Sequence, residues 1–396
     1  MDTEFKINGF TGAAVASGLK KHGGLDFALI YSERECTAAG VFTANAVKAA
    51  PVLISMDKIS SGKATAIVVN AGNANACNGN QGIHDAMRTS ELIASKLEIS
   101  PDKILIASTG VIGSRLDMNC IEKSIPDLVK KLHPDGLTDV SKAMMTTDSF
   151  RKTGIRTLEI GDKICTICGM AKGAGMIMPN MATMLCFILT DINIEQTMLS
   201  NILKISVNRT FNRITVDGDT STNDTVFILA NGAAGNSKNL SPHDADKFKI
   251  ALISLLEDLS RMIVKDGEGA TKLVKVEVHG ARTPEDAEKA ARTIANSSLV
   301  KTALFGCDPN WGRIMAALGR SGIIMDERRI KIEIGGVMIV TDGIAVPGNA
   351  EASAAAVMKT DEYDLTVDLG MGSASDFILT CDLTHEYINI NADYRS

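Results

Sequence analysis

No run of Lys or Arg forms a basic stripe in this chain of 396 residues, and the net charge is a mild −6. Nucleic acid is therefore not an expected partner. No long unbroken apolar run is present. Lys6, Lys20, Lys21 and Asp26 interrupt every candidate stretch near the start, so neither a signal peptide nor a membrane span is expected, and the chain is expected in the cytoplasm. No low-complexity segment and no internal repeat is visible, which excludes a solenoid. The eight Cys are scattered, and a chain of this length builds its core without staples, so reduced thiols are expected.

The motifs of metal and triad chemistry are missing as well. The only C-x-x-C joins Cys165 and Cys168 in an apolar, strand-like run. That spacing puts the two thiols on opposite faces of a strand, and no second C-x-x-C completes a zinc site, so two buried thiols are expected. The His residues (22, 84, 133, 243, 279, 385) are dispersed; His385–Glu386 opens like H-E-x-x-H but is not continued. No metal is expected. There is no G-x-S-x-G elbow and no G-x-G-x-x-G after a strand. If a hydroxyl is the nucleophile, its base need not be a His. A Thr at a new N-terminus can use its own α-amine, whose ordinary pKa is about 8.

Hydrophobic residues make up 45% of the chain, as in a folded globular protein. The length suggests two domains or one large layered α/β unit. Strand and helix signals alternate throughout. Ala28–Tyr31, Ala66–Asn70, Ile104–Ala107 and Met184–Leu189 read as buried strands, and Ile155–Ile160 with Lys163–Met170 as a hairpin over Gly161–Asp162. Helices are expected at Asp85–Leu97, Thr138–Met145, Ile194–Val207 and Pro242–Val264, the last capped by Ser241. The pattern restarts after Gly269. Leu273–Val278 reads as a strand, Pro284–Asn296 as a helix capped by Thr283, and Asn310–Leu318 as another helix. Arg329–Ile334 and Val337–Val340 form a hairpin, Ala350–Met358 a helix, and Leu365–Leu369 and Phe377–Cys381 two strands. A boundary near 270–285 follows.

Three segments carry possible chemistry. In Lys172-Gly-Ala-Gly-Met-Ile-Met-Pro-Asn-Met-Ala-Thr183, Gly173 and Gly175 permit close backbone approach and Pro179–Asn180 favours a turn before an apolar strand. The Lys precedes the glycines, so this is no P-loop. Ala107-Ser-Thr-Gly-Val-Ile-Gly113 directly follows a strand, where α/β folds carry function, and Thr109 beside Gly110 can present two donors to one oxyanion. Asp217, Asp219, Ser221 and Asn223 alternate like a calcium loop. Thr222 stands where such a loop needs Gly, and Ile228 where it needs Glu, so a hydrogen-bonded polar loop is expected. On sequence alone, the first two segments also fit ordinary turns.

Together these segments resemble the ornithine acetyltransferase family, also called glutamate N-acetyltransferase, of the arginine pathway. The resemblance runs through Ala38–Thr43, Lys48–Val52, Val69–Cys77, Ser108–Gly113, Met145–Asp148, Lys172–Thr183, Thr215–Asp224, Asp308–Arg313 and His385–Tyr394. It implies a layered α/β sandwich with mixed sheets between helices (residues 1–280, catalytic) and a smaller C-terminal α/β domain (281–396). It implies self-cleavage between Ala182 and Thr183, giving chains 1–182 and 183–396 that stay intertwined and assemble as two copies of each.

The implied chemistry starts when Thr183 Oγ attacks the preceding carbonyl, an N-to-O shift that water then resolves. Thr183 next takes acetyl from N-acetylornithine, and glutamate collects it in a ping-pong cycle. Thr109 and Gly110 would hold the oxyanion, one such donor being worth roughly 3–4 kcal/mol of barrier. The implied substrate residues are Thr147, Lys172, Thr183, Glu268, Asn391 and Ser396, with Lys172 on the α-carboxylate and Glu268 towards the ornithine ammonium. Arg395–Ser396 departs from the pair of small hydroxyl residues with which relatives often end. No cofactor is implied; acetyl-CoA is a possible co-substrate. The rival readings are an N-terminal-Thr amidase or aminopeptidase of related fold, and a non-enzymatic binding module.

Overall fold

The computed structural model describes residues 5–178 and 184–392. The chain divides into two compact units, residues 1–212 with 219–263, and residues 213–218 with 264–396. The division falls at 263/264, ahead of residue 280, because the strand Leu273–Ala281 pairs entirely within the second sheet and Ile214–Thr215 joins the same sheet.

The first unit runs β1 (Phe10–Val15), β2 (Phe27–Phe42), α1 (Ala50–Ile59), β3 (Lys63–Asn73), α2 (Gly79–Leu97), β4 (Ile104–Val111), α3 (Met118–Lys130), α4 (Leu137–Ala143), β5 (Lys152–Ile160), β6 (Lys163–Lys172), β7 (Leu185–Thr190) and α5 (Gln196–Arg209). After β8 (Ile214–Thr215), which belongs to the second sheet, come β9 (Thr225–Ala230) and α6 (Pro242–Lys265), whose last two residues lie in the second unit. The strand order is β4-β3-β2-β9-β7-β6-β5, with β1 on β2. β3 and β4 run parallel, as do β7 and β9; the other pairs are antiparallel.

The central strands β3, β7 and β9 are buried on both faces, and the alternation of side chains along the strands sorts them into layers. In β2, Phe27 and Leu29 join the core under α2 and α3, while Ala28 and Ile30 turn to the opposite core. That second core collects Cys168 and Met170 of β6, Leu185, Phe187 and Leu189 of β7, and Phe227 and Leu229 of β9. Strands from both halves of the sheet thus share one core. Beyond β5 and β6 lies α6. Gly154 and Gly169 leave room there for Leu255 and Leu259, which sit one helical turn apart; a Cβ on Gly154 would lie 2.6 Å from Leu255. The result is a layered α/β sandwich of mixed strands between helices.

The second unit runs β10 (Leu273–Ala281), α7 (Pro284–Ala295), α8 (Ser298–Phe305), α9 (Trp311–Gly319), β11 (Lys331–Ile334), β12 (Val337–Thr341), β13 (Ile344–Ala345), α10 (Ala350–Met358), β14 (Glu362–Asp368), β15 (Ala374–Cys381) and α11 (His385–Ala392). Its strand order is β13-β12-β11-β14-β10-β15-β8. Here the faces differ. Val274, Val276 and Val278 join the core with α7 to α10, whereas Lys275 and Glu277 form a half-exposed ion pair between them.

The hairpin over Gly161–Asp162 is present, with Ile160 opposite Lys163. The helix caps at Ser241 and Thr283 also stand: each hydroxyl accepts a backbone N–H three residues on, from Asp244 and Asp286 respectively. Sequence patterning had no place for β1, β9, α1, α3, α8 or α11. Helix α3 carries Pro126 in its interior, which breaks the helical hydrogen-bond ladder and argues against a helix in any sequence reading. Among the described residues, no helix is long and apolar enough to cross a membrane.

Candidate active site

Two parallel strands end side by side in the first unit, and polar residues stand near both ends. Asn70, Ala71 and Gly72 of β3 lie opposite Ser108, Thr109 and Gly110 of β4. Gly110 has φ +128°, and a Cβ there would lie 2.3 Å from the Gly72 carbonyl carbon, so only glycine lets the strands close. Side chains lock the junction. Ser108 donates to Asn70 Oδ1 at 2.5 Å, and the Asn70 amide donates to the Asn73 carbonyl at 2.8 Å. The Asn223 amide donates to the carbonyls of Ala74 and Ser108 at 2.7 and 2.9 Å.

That brace explains part of the alternating segment 215–224. Its members are engaged in hydrogen bonds: Thr43 donates to the Ser221 carbonyl at 2.7 Å, and Asn45 to that of Thr220 at 2.9 Å. The polar-loop expectation fits these bonds.

Thr109 itself is half-buried, and its Oγ1 accepts a hydrogen bond from Lys172 Nζ at 3.1 Å. Lys172 is the last residue of β6, only 6% exposed, and pairs in register with Leu185, the first residue of β7. The lysine therefore ties the end of one half-sheet to the end of the other. An ammonium donating to a hydroxyl oxygen leaves the hydroxyl proton to donate elsewhere and strengthens it as a donor. This contact suits Thr109 to stabilising an oxyanion.

Next to Lys172 lies a buried carboxylate that sequence reading gave no role. Asp148 Oδ1 accepts from Lys152 Nζ at 2.6 Å and from the Gly173 N–H at 2.7 Å, while Oδ2 accepts from the Thr146 N–H at 3.0 Å. Asp148 and Lys152 have no exposed side-chain surface. Burial alone would push the Asp148 carboxyl up, but Lys172 and Lys152 outweigh it and hold the pKa down at about 2. Lys20 stands nearby, its pKa lowered by burial against the pull of Asp26 and Asp148; its ammonium donates to the carbonyls of Leu25 and Ala143 at 2.7 and 3.1 Å. Thr147, between the two clamped residues Thr146 and Asp148, is half-buried.

Two further expected residues lie in the second unit. Glu268 is 8% exposed, and its Oε2 accepts from the Asn391 amide at 2.8 Å. The same amide donates to the Tyr387 carbonyl at 2.9 Å, and the Tyr387 hydroxyl donates to Asp217 at 3.3 Å. Ala182, Thr183 and Ser396 lie outside the described residues, as do Pro179 and Asn180. Cys165 and Cys168 are buried thiols pointing into different surroundings, and desolvation raises them to about 11 and about 12, out of reach of nucleophilic use.

Sequence reasoning brought Thr109, Gly110 and Lys172 into one site and put Asn223 in a hydrogen-bonded loop, but gave no role to Asp148, Lys152, Lys20 or Asn70. Asp148 stands inside the motif Met145-Thr-Thr-Asp148, which was its only signal.

A family model described as the ArgJ family matches residues 11–396. The Arginine biosynthesis bifunctional protein ArgJ of Desulfotalea psychrophila is 49% identical over 392 residues, covering 99% of this chain and all of that protein. The Glutamate N-acetyltransferase of Methanocaldococcus jannaschii is 46% identical over 404 residues, covering 99% and 97%. The crystal structure of the Arginine biosynthesis bifunctional protein from Bacillus halodurans is 43% identical with a TM-score of 0.50, over 52% of this chain and 97% of that one. The chain belongs to the ArgJ family.

Proposed function

We propose that this protein transfers acetyl from N2-acetyl-L-ornithine to L-glutamate, giving L-ornithine and N-acetyl-L-glutamate in arginine biosynthesis. The observation that carries the reading is the Lys172–Thr109 contact beside Gly110, a polarised hydroxyl next to a backbone N–H at a strand end. Relatives of nearly full length are named for this activity and pathway.

The nucleophile in this reading is Thr183, two residues ahead of β7, freed by cleavage of Ala182–Thr183. Its own α-amine takes the hydroxyl proton, the hydroxyl adds to the acetyl carbonyl, and Thr109 with Gly110 hold the resulting oxyanion. Ornithine leaves, and the amine of glutamate attacks the acetyl ester. An amide is exchanged for an amide, so no cofactor is required. Thr147, Lys172, Thr183, Glu268, Asn391 and Ser396 form the substrate set carried by the family resemblance. The Bacillus halodurans chain corresponds to about half of this one, which supports a chain divided in two; the boundary, 1–182 and 183–396, comes from the family resemblance. An assembly of two copies of each, a cytoplasmic location and use of acetyl-CoA as a second donor belong to the same reading. The word "bifunctional" in the relatives' names supports the last of these.

The purified protein, given N-acetylornithine and glutamate, is expected to release ornithine and N-acetylglutamate in equal amounts. Acetate without N-acetylglutamate would instead identify an amidase. End-group sequencing is expected to find a fragment that begins Thr-Met-Leu-Cys, and Thr183→Ala to leave the chain whole at 42.0 kDa and inactive.

A further inference from the structure

The geometry points to Lys152 as a positioning residue for acetyl transfer: by pairing with Asp148, it keeps that carboxylate from drawing the Lys172 ammonium away from Thr109. This inference rests on the oxyanion role proposed for Thr109. Three observations carry it. Asp148 and Lys152 are both fully enclosed, and their contact is 2.6 Å. Asp148 also binds the Gly173 N–H, next in chain to Lys172, and the Lys172 charge acts on the same carboxylate together with that of Lys152. Lys172 in turn donates to Thr109. One carboxylate thus stands between Lys152 and Lys172, with Lys20 also within its field, and a buried carboxylate left without its contact lysine draws more strongly on the charge beside it.

A purely structural ion pair and a charge-balancing one respond differently to removal of both partners. Lys152→Met leaves Asp148 to recruit Lys172, so kcat for acetyl transfer is expected to fall about ten- to a hundredfold, the effect of losing a charge-assisted hydrogen bond. KM for N-acetylornithine should move less than kcat. The double variant Asp148→Asn with Lys152→Met has no carboxylate to divert Lys172. The carboxamide oxygen that replaces the carboxylate can still accept from the Gly173 N–H. Most of the lost kcat should return.

The measurement is steady-state transfer between N-acetylornithine and glutamate on the mature, cleaved enzyme, with the parent as reference. A parent that makes no N-acetylglutamate refutes the proposed function rather than this inference. Where Lys152→Met does not fold, Lys152→Gln, uncharged but still able to donate to Asp148, replaces it. Parental kcat in the single variant overturns the inference. So does a folded, cleaved double variant no faster than the single one.

Discussion

Each unit holds a lysine–carboxylate pair of nearly the same length, and the surroundings make them different objects. Lys152 and Asp148 meet at 2.6 Å with no exposed side-chain surface, in a unit whose central strands are buried on both faces. Lys275 and Glu277 meet at 2.9 Å with 31% and 26% exposure, on the face of the second sheet turned away from its core. Water screens the second pair and lets each charge do without the other. In the first, the medium is protein, and removing one charge leaves its partner stranded. An ion pair is decoration where water reaches it and a constraint where it does not.

The largest test of this contrast lies at the crowded strand ends of the dry sheet. Gly110→Ala puts a Cβ against backbone at a φ that alanine avoids, and is expected to cost about 4 kcal/mol or more and to abolish transfer. Denaturant unfolding with an activity assay checks it. Next, Lys152→Met should destabilise the protein by about 3–5 kcal/mol, whereas the double change with Asp148→Asn should lie within about 1–2 kcal/mol of the parent. Equal losses in single and double variants would erase the distinction between dry and wet pairs.

Acid provides a third, smaller effect. The folded pKa of Asp148 is about 2, below the ordinary carboxylate value of 3.8. A depressed carboxyl contributes stability that is present above its unfolded pKa and is lost as pH falls through its folded one. About 2 kcal/mol should therefore disappear between roughly pH 4 and pH 2. The Asp148→Asn/Lys152→Met protein should lack this component when unfolding midpoints are compared across that range. Smallest of all, Lys275→Met should change stability by no more than about 1 kcal/mol and leave transfer unaltered.

The sequence made the fold legible where local chemistry suffices: turn glycines at 161, helix caps at Ser241 and Thr283, and apolar runs such as Ala66–Asn70. It failed where tertiary packing overrides local preference, as in α3 with its internal Pro126, or where a run is too short to show a period, as in α8. Strand β2 was half seen. It continues for 16 residues, through an irregularity in its pairing with β3, from β1 at one end to β9 at the other. In the candidate site, family motifs named Thr109, Gly110 and Lys172. Their contact joins residues 63 apart in the chain, which no spacing rule foresees. Asp148 and Lys152 are four apart, but Lys152 begins a strand, so the helical meaning of that spacing does not apply.

The position of β7 in the strand order has a consequence for a chain cut ahead of it. Strands β9 and β7, from the later part of the chain, sit between β2 and β6, from the earlier part. A nick between β6 and β7 leaves both borders of that inserted pair hydrogen-bonded, so there is no seam along which the pieces can slide apart. Separation would have to tear two ladders at once and open the apolar layer beneath them. Once parted, the halves would have to find each other by diffusion, so renaturation would depend on protein concentration where it did not before.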